Sequence, residues 1–405
     1  GRQPMLVVVA NWGIADGTLV SASRHDQVAW LRAVRRAAIR AGFRRDGRYL
    51  PPQRIDVVLA GDTFDLLTST AWTDAVRPWQ RGPRAAAARD RVLAQAAARG
   101  GRLLAGLRRW ARRGIPLPRA NRHGRPAPGT EMPVPAAVAI LAGDRDAWLE
   151  DAQAVAGRHR IVLGGVWSGS ACAASIRHGH EFDPFSCGDG ESRHPRDRGP
   201  TLAESLAVDL VARFGATLRE DATGWPAARP LVAALVAARP AQMAAVFRRW
   251  RLRHGGALAN VGEQWKAAVD GWWREARRTR PTCAVEYDPV DAVAATLAAA
   301  DAEDDAGTAD PFDLPVGLPT GRGADGHGAA GFLLLGHPPA QGGGHAGPRA
   351  SLVCLGAPTV APGPPPTAIL TRHGDEVRLD WLGDEPAVAI AAPRPQSSAR
   401  IVEAA

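Results

Sequence analysis

The chain has 405 residues, 45% of them hydrophobic, which suits one large α/β domain with insertions or two domains of ordinary size. No run approaches the roughly eighteen consecutive apolar residues a membrane span needs, and the start of the chain shows no secretion-signal pattern, Met5 reading as a natural start. Four scattered cysteines without a CxxC pair speak against a structural zinc site or a disulfide framework, so a reducing cytoplasm is the expected location.

The net charge of +9 rests on arginine, since Lys266 is the single lysine. Such a bias toward Arg, Ala, Gly and Pro is what a GC-rich genome produces. The charge is therefore read mainly as solvated faces, and nucleic acid is not an expected partner.

Residues 5–10 (MLVVVA) form a continuous apolar, β-branched run that reads as a buried parallel strand, ended by Asn11-Trp12-Gly13. Residues 25–41 carry apolar positions at helical spacing, and residues 55–60 (IDVVLA) follow Pro51-Pro52 as a second strand. Strand, helix and strand in this order make a βαβ unit and predict a parallel sheet. Residues 84–113 read as helix with a break at Gly100-Gly101. In its second half Leu103, Leu104, Leu107 and Trp110 oppose Arg102, Arg108, Arg109, Arg112 and Arg113.

Residues 116–135 read as a Pro/Gly/Arg loop, and 136–142 as a strand that delivers Gly143-Asp144-Arg145-Asp146. Residues 158–163 and 172–176 are expected to pair as a hairpin around 164–169, the second strand leading into Arg177-His178-Gly179-His180. Thr201 and Glu204 form a capping box for a helix over 202–214. Residues 215–300 are expected to be mostly helical, an aromatic-rich insertion or cap marked by Phe247, Trp250, Trp265, Trp272 and Trp273. An acidic, Gly/Pro-rich loop spans 301–328, strands resume at 331–335, 351–355, 367–371 and 376–382, and the tail 393–405 reads as frayed.

Five strand ends thus present polar groups: Asn11, Asp62 with Asp65, Asp144 with Arg145 and Asp146, His178 with His180, and His337. Ligands of open α/β sheets bind outside the carboxyl ends of the strands. Two Asp and two His converging there suit a borderline cation such as Mn²⁺, Zn²⁺ or Fe²⁺.

Gly61-Asp62-Thr63-Phe64-Asp65, Gly143-Asp144-Arg145-Asp146, His178-Gly179-His180 and Gly336-His337-Pro338-Pro339 resemble, in order, the motifs of calcineurin-like metallophosphoesterases. Arg145 in the second of these stretches is similar to the subgroup that includes UDP-2,3-diacylglucosamine hydrolase. The resemblance implies an α/β sandwich of two central mixed β-sheets flanked by helices, with residues 1–214 and 329–392 as the core and 215–300 as a helical insertion.

The resemblance also implies a hydrolase in which a metal-bound water attacks the phosphorus of a phosphomonoester or phosphodiester, lipidic or nucleotide-linked substrates among them. Carried over, Asp62, Asp144, His178 and His337 hold one divalent ion per chain. Arg145 contacts phosphate, His180 has a catalytic or supporting role, and Asp65 and Asp146 support the ligands. The positions for the family's other metal read Asn11, Gly13 and Pro339, which leaves that site only Asp62 and a weak Asn11 oxygen. A catalytically dead relative kept as a binding module is the rival expectation.

Overall fold

The computed structural model describes residues 3–19, 26–73, 76–147, 149, 161–164, 166–169, 172, 174–180, 183, 185–187, 199–222, 224–254, 259–283, 290–300, 332–335, 351–354, 365, 367–373, 376–382 and 388–390. The chain opens as β1 (Pro4–Val9), the two-residue β2 (Ile14–Ala15), α1 (Gln27–Ala41), β3 (Arg54–Ala60) and the two-residue β4 (Phe64–Asp65). Helices α2 (Pro83–Arg99) and α3 (Gly101–Arg113) follow, then β5 (Ile115–Ala120), β6 (Pro126–Val134) and β7 (Ala136–Leu141).

The apolar run of β1 is continuous because both faces of its sheet are covered. Strand periodicity sends Met5, Val7 and Val9 into a core shared with Trp30, Val34, Leu103, Leu107 and Trp110 of α1 and α3. The alternate residues Leu6, Val8 and Ala10 enter a second core with Ala174 and Ile176. α1 starts where the Asp26 carboxylate accepts from the Val28 and Ala29 amides, and the expected break between α2 and α3 falls at Gly100.

Beyond β7 come β8 (Ile161–Gly164), β9 (Val166–Gly169), β10 (Ala174–Arg177), β11 (Phe332–Leu335), β12 (Ser351–Cys354), β13 (Thr367–His373), β14 (Glu376–Trp381) and β15 (Val388–Ile390). One seven-stranded sheet has the order β15-β14-β13-β1-β3-β7-β8, and one four-stranded sheet the order β12-β11-β10-β9. In the first, β1, β3, β7 and β8 are parallel and β13 to β15 antiparallel. In the second, β10 to β12 are parallel and β9 antiparallel. Both sheets are mixed and share the second core, while α1 and α3 cover the opposite face of the larger one.

Two expectations are corrected. The stretch 116–135 is not a loop but contains most of an antiparallel ribbon, β5 with β6. Pro116 stands opposite Pro133, where neither needs to donate, and Ile115, Leu117 and Val134 alternate into the core. The expected hairpin between 158–163 and 172–176 does not form either. β8 joins β7 in parallel, and the strand that folds back on β10 is β9, with Ile176 opposite Trp167. The chain changes sheets between β8 and β9, so the two strands gain neighbours in different sheets.

The described residues between 199 and 300 are mainly helical. Thr201 Oγ1 accepts from the Glu204 amide at 3.1 Å and Glu204 Oε2 from the Thr201 amide at 2.7 Å, completing the capping box. Helix Leu202–Ser205 runs on through a π-helical segment, Leu206–Ala212, into Arg213–Glu220. Helices Trp225–Ala237, Met243–His254, Ala259–Thr279 and Val290–Ala299 complete this part. Phe247 stacks on Trp265 at 4.4 Å, and Phe214, Trp250 and Trp272 join the same core. Trp273 instead is 38% exposed and donates to Asp291.

Helix 202–220 is shared between cores. Ala207 and Val208 face the sheet-and-helix core, whereas Leu206, Leu210, Val211 and Phe214 face the helical one. Beneath it, Arg77 is buried with Asp209, Nε to Oδ1 at 2.6 Å, and also donates to the Trp72 carbonyl.

Candidate metal centre

The ends of β1, β3 and β7 lie side by side because the three strands are neighbours in one parallel array, so Asn11, Asp62 and Asp144 emerge at one edge. The backbone ties the first two ends together. The Asn11 amide donates to Gly61 O at 3.3 Å and the Gly13 amide to Asp62 O at 2.9 Å, after which β2 and β4 pair in parallel. Asn11 (φ 58°) and Asp62 (φ 48°) are two of the three left-handed non-glycine residues among those described. Asn and Asp tolerate that region best, and such conformations gather at sites where the surroundings fix them.

Two glycines make the approach of the side chains possible. A Cβ on Gly61 would stand 2.2 Å from His178 Nδ1, and one on Gly143 would stand 2.2 Å from Asp62 Oδ1. The Gly-Asp pairs of the sequence therefore have a steric basis: each lacks a side chain where a chemical group passes.

His178 is buried at the end of β10. Its Nδ1 lies 3.0 Å from the Ala60 carbonyl, which can only accept, so this nitrogen carries the proton. Nε2 is thereby aimed at the carboxylates, 2.9 Å from Asp144 Oδ1 and 3.4 Å from Asp62 Oδ2. A backbone carbonyl holding the remote ring nitrogen is the usual support of a metal-ligating imidazole. Burial opposes protonation of His178, but the Asp62 and Asp144 charges outweigh it and hold its pKa well above the ordinary value.

Asp144, His178 and His180 offer ligand atoms that all lie within 4.8 Å of one another. His180 thus belongs to the donor group geometrically, its ring centroid 5.4 Å from that of His178. Asp62 adjoins this group through Nε2 of His178 and accepts from the Arg145 amide at 3.1 Å.

The expected supporting residues have clear partners. Asp146 accepts from the Gly143 amide at 2.6 Å and the Phe64 amide at 3.1 Å, locking the β7 loop onto the β3 loop. Burial, with the Asp62 charge, pushes the Asp146 carboxyl up to about 8 against these two amides. Asp65 takes the Arg145 guanidinium at 3.0 Å and the Thr68 amide at 3.2 Å. Arg145 also reaches the Ala238 carbonyl of the helical part at 3.5 Å, and its side chain is 15% exposed.

Asn11 and Gly13 sit where expected and bring neither imidazole nor carboxylate. His337 and Pro339 lie outside the described residues. One partner was not anticipated: Ser186 Oγ donates to Asp144 Oδ2 at 3.3 Å. No local pattern marks Ser186. It arrives through a turn in which the Asp183 carbonyl accepts from the Ser186 and Cys187 amides.

Comparison with known proteins finds no matching family model, no matching curated protein and no matching solved structure.

Proposed function

We propose that the chain is a metal-dependent phosphoesterase of the calcineurin-like metallophosphoesterase type, binding a single divalent cation. The observation that carries the proposal is the support of His178: Nδ1 is tied to the Ala60 carbonyl while Nε2 faces two carboxylates from neighbouring strand ends. The donor set fits Mn²⁺, Zn²⁺ or Fe²⁺, with Asp62, Asp144, His178 and His180 as the described donors and His337 as the further ligand that the motif order implies. A cation there supplies Lewis-acid polarisation of a phosphoryl oxygen and lowers the pKa of water.

The chain's own residues do the remaining work. Asp62 and Asp144 neutralise a divalent charge, and Arg145, partly exposed beside them, adds the positive charge that attracts a phosphate. Asp65 and Asp146 hold the two loops in register, and Ser186 orients Asp144. The substrate class is a phosphate ester.

A second reading, a binding module without catalysis, draws on one observation. His178 already joins both carboxylates, so a protonated imidazole satisfies this cradle by itself. Metal analysis after chelation and reloading with Mn²⁺ or Zn²⁺ separates the readings. About one ion per chain, lost in His178→Ala, is expected, together with hydrolysis of generic chromogenic phosphate mono- or diesters that the same substitution abolishes. Absence of metal sinks the metal site and the enzyme and supports the binding module, as does stoichiometric metal without hydrolysis.

A further inference from the structure

The net charge of the chain is spread very unevenly. Between residues 26 and 135 stand 22 arginines and 8 carboxylates, whereas the rest of the chain holds 28 basic and 33 acidic residues. A codon bias toward arginine acts along the whole chain and does not concentrate charge in one segment. The excess belongs to one layer: α1, α2 and α3 carry 13 arginines and one carboxylate, Asp90.

The apolar faces of these helices, including Trp30, Val34, Val92, Leu103 and Trp110, are buried in one core with the seven-stranded sheet. Ten of their arginines are exposed, among them Arg32, Arg36, Arg40, Arg102, Arg109 and Arg113. None of the ten stands in an ion pair with a described residue, whereas Arg35 of α1 pairs with Glu131. Arg32, Arg36 and Arg40 recur every fourth residue and so form a row about 5–6 Å apart at Cβ. Asp26 at the start of α1 lies near Arg32 and Arg102, but the like charge that remains is concentrated enough to destabilise the compact chain and calls for a counter-charge from outside.

From this we propose that the arginine face of α1–α3 docks on an anionic phospholipid surface, the headgroup phosphates supplying the counter-charge. Two observations favour a lipid surface over a nucleic-acid strand. Single strands are held by aromatic platforms along a basic groove, but Trp30 and Trp110 of this layer are turned inward, 6.3 Å apart. The exposed ring at the edge of the layer is Phe43, 41% exposed at the C-terminal end of α1, between Arg40 and Arg44-Arg45. One apolar side chain flanked by arginines is the pattern of an interfacial contact. The inference rests on charge placement and is independent of the metal centre.

The test uses the full chain and sedimentation with vesicles of phosphatidylcholine, with or without phosphatidylglycerol. Binding to the anionic vesicles alone, weakening steeply with salt, is expected. Each Arg→Gln change on the face lowers the partition about fivefold, and the triple variant R36Q/R40Q/R109Q about a hundredfold, the factors that about 1 kcal/mol per basic side chain corresponds to. These side chains are exposed, so the melting curve serves as the control for folding. R219Q/R229Q/R274Q, at exposed positions on three helices of the helical part, leaves the partition unchanged. Equal binding to neutral vesicles, an unaffected triple variant, an equal loss in the control variant, or tighter binding of single-stranded DNA than of vesicles at the same salt would each overturn the proposal.

Discussion

At the scale of single residues, the candidate centre depends on side chains that are missing as much as on those present. Gly143 and Gly61 leave room for the Asp62 carboxylate and the His178 ring, each within 2.2 Å of where a Cβ would stand. Gly143→Ala is expected to displace Asp62 and to destabilise the fold by about 1–3 kcal/mol, the usual cost of overpacking. Gly61→Ala adds the strain of a side chain at φ +83° and should be the worse of the two. Thermal melts with and without Mn²⁺ check both: a variant that melts like the parent and still gains stability from metal would refute the steric account.

Sequence made the residues of this site visible because Gly-Asp and His-Gly-His follow apolar runs. It did not reveal Ser186, whose role arises from a turn that carries no signature. Nor did it place His180 in the donor group, because ring proximity depends on the turn after β10.

Among the elements, the helix that begins at Leu202 joins the two cores, and two contacts fix it. Thr201→Ala removes the capping box and should cost about 1 kcal/mol in denaturant unfolding. The buried Arg77–Asp209 pair is more sensitive. Arg77→Met leaves a buried carboxylate without its main partner and should cost about 3–5 kcal/mol, whereas Arg77→Met with Asp209→Leu should recover much of that. A double variant no more stable than the single one would contradict this.

The pH dependence of the pair has a definite sign. Burial pushes the Asp209 carboxyl up to about 6, against the nearby Arg77 charge, from an unfolded value of 3.8. The native state therefore holds a proton that the unfolded chain releases. This contribution is fully present below pH 4 and is lost as pH rises through 6. Asp209→Asn should flatten that segment of the stability profile, measured by denaturant midpoints between pH 4 and 7.

Element assignment from sequence failed where local composition misled. The prolines of 116–135 suggested a loop, yet a two-stranded ribbon tolerates them at positions that need no donor. The partner of β10 was misassigned because 161–164 and 166–169 both form strands, and only the sheet each one reaches distinguishes them.

For the whole molecule, two mixed sheets share one core, helices cover the far face of the larger sheet, and a helical part with its own aromatic core adjoins through helix 202–220. No helix among the described residues is long and apolar enough to cross a membrane. If the centre holds a cation in the native state alone, metal at a hundredfold excess over its Kd stabilises the fold by about 2.7 kcal/mol. A melting temperature unmoved by Mn²⁺, Zn²⁺ and Fe²⁺ alike would count against the site.

Sequence by itself determined that β1, β3 and β7 are buried strands, where the capping box lies and that Asn11, Asp62, Asp144 and His178 end strands. Those features depend on neighbours within a few positions of the chain. Tertiary structure alone decided that β8 leaves β10 for β7 and that Arg77 meets Asp209 across 132 positions. It also decided that the Ala60 carbonyl aims His178 at two carboxylates and that three arginine-rich helices bury their apolar residues in one core. Each of these is a contact or an alignment between segments far apart in the chain, and it is fixed only when burial of the apolar faces brings them together.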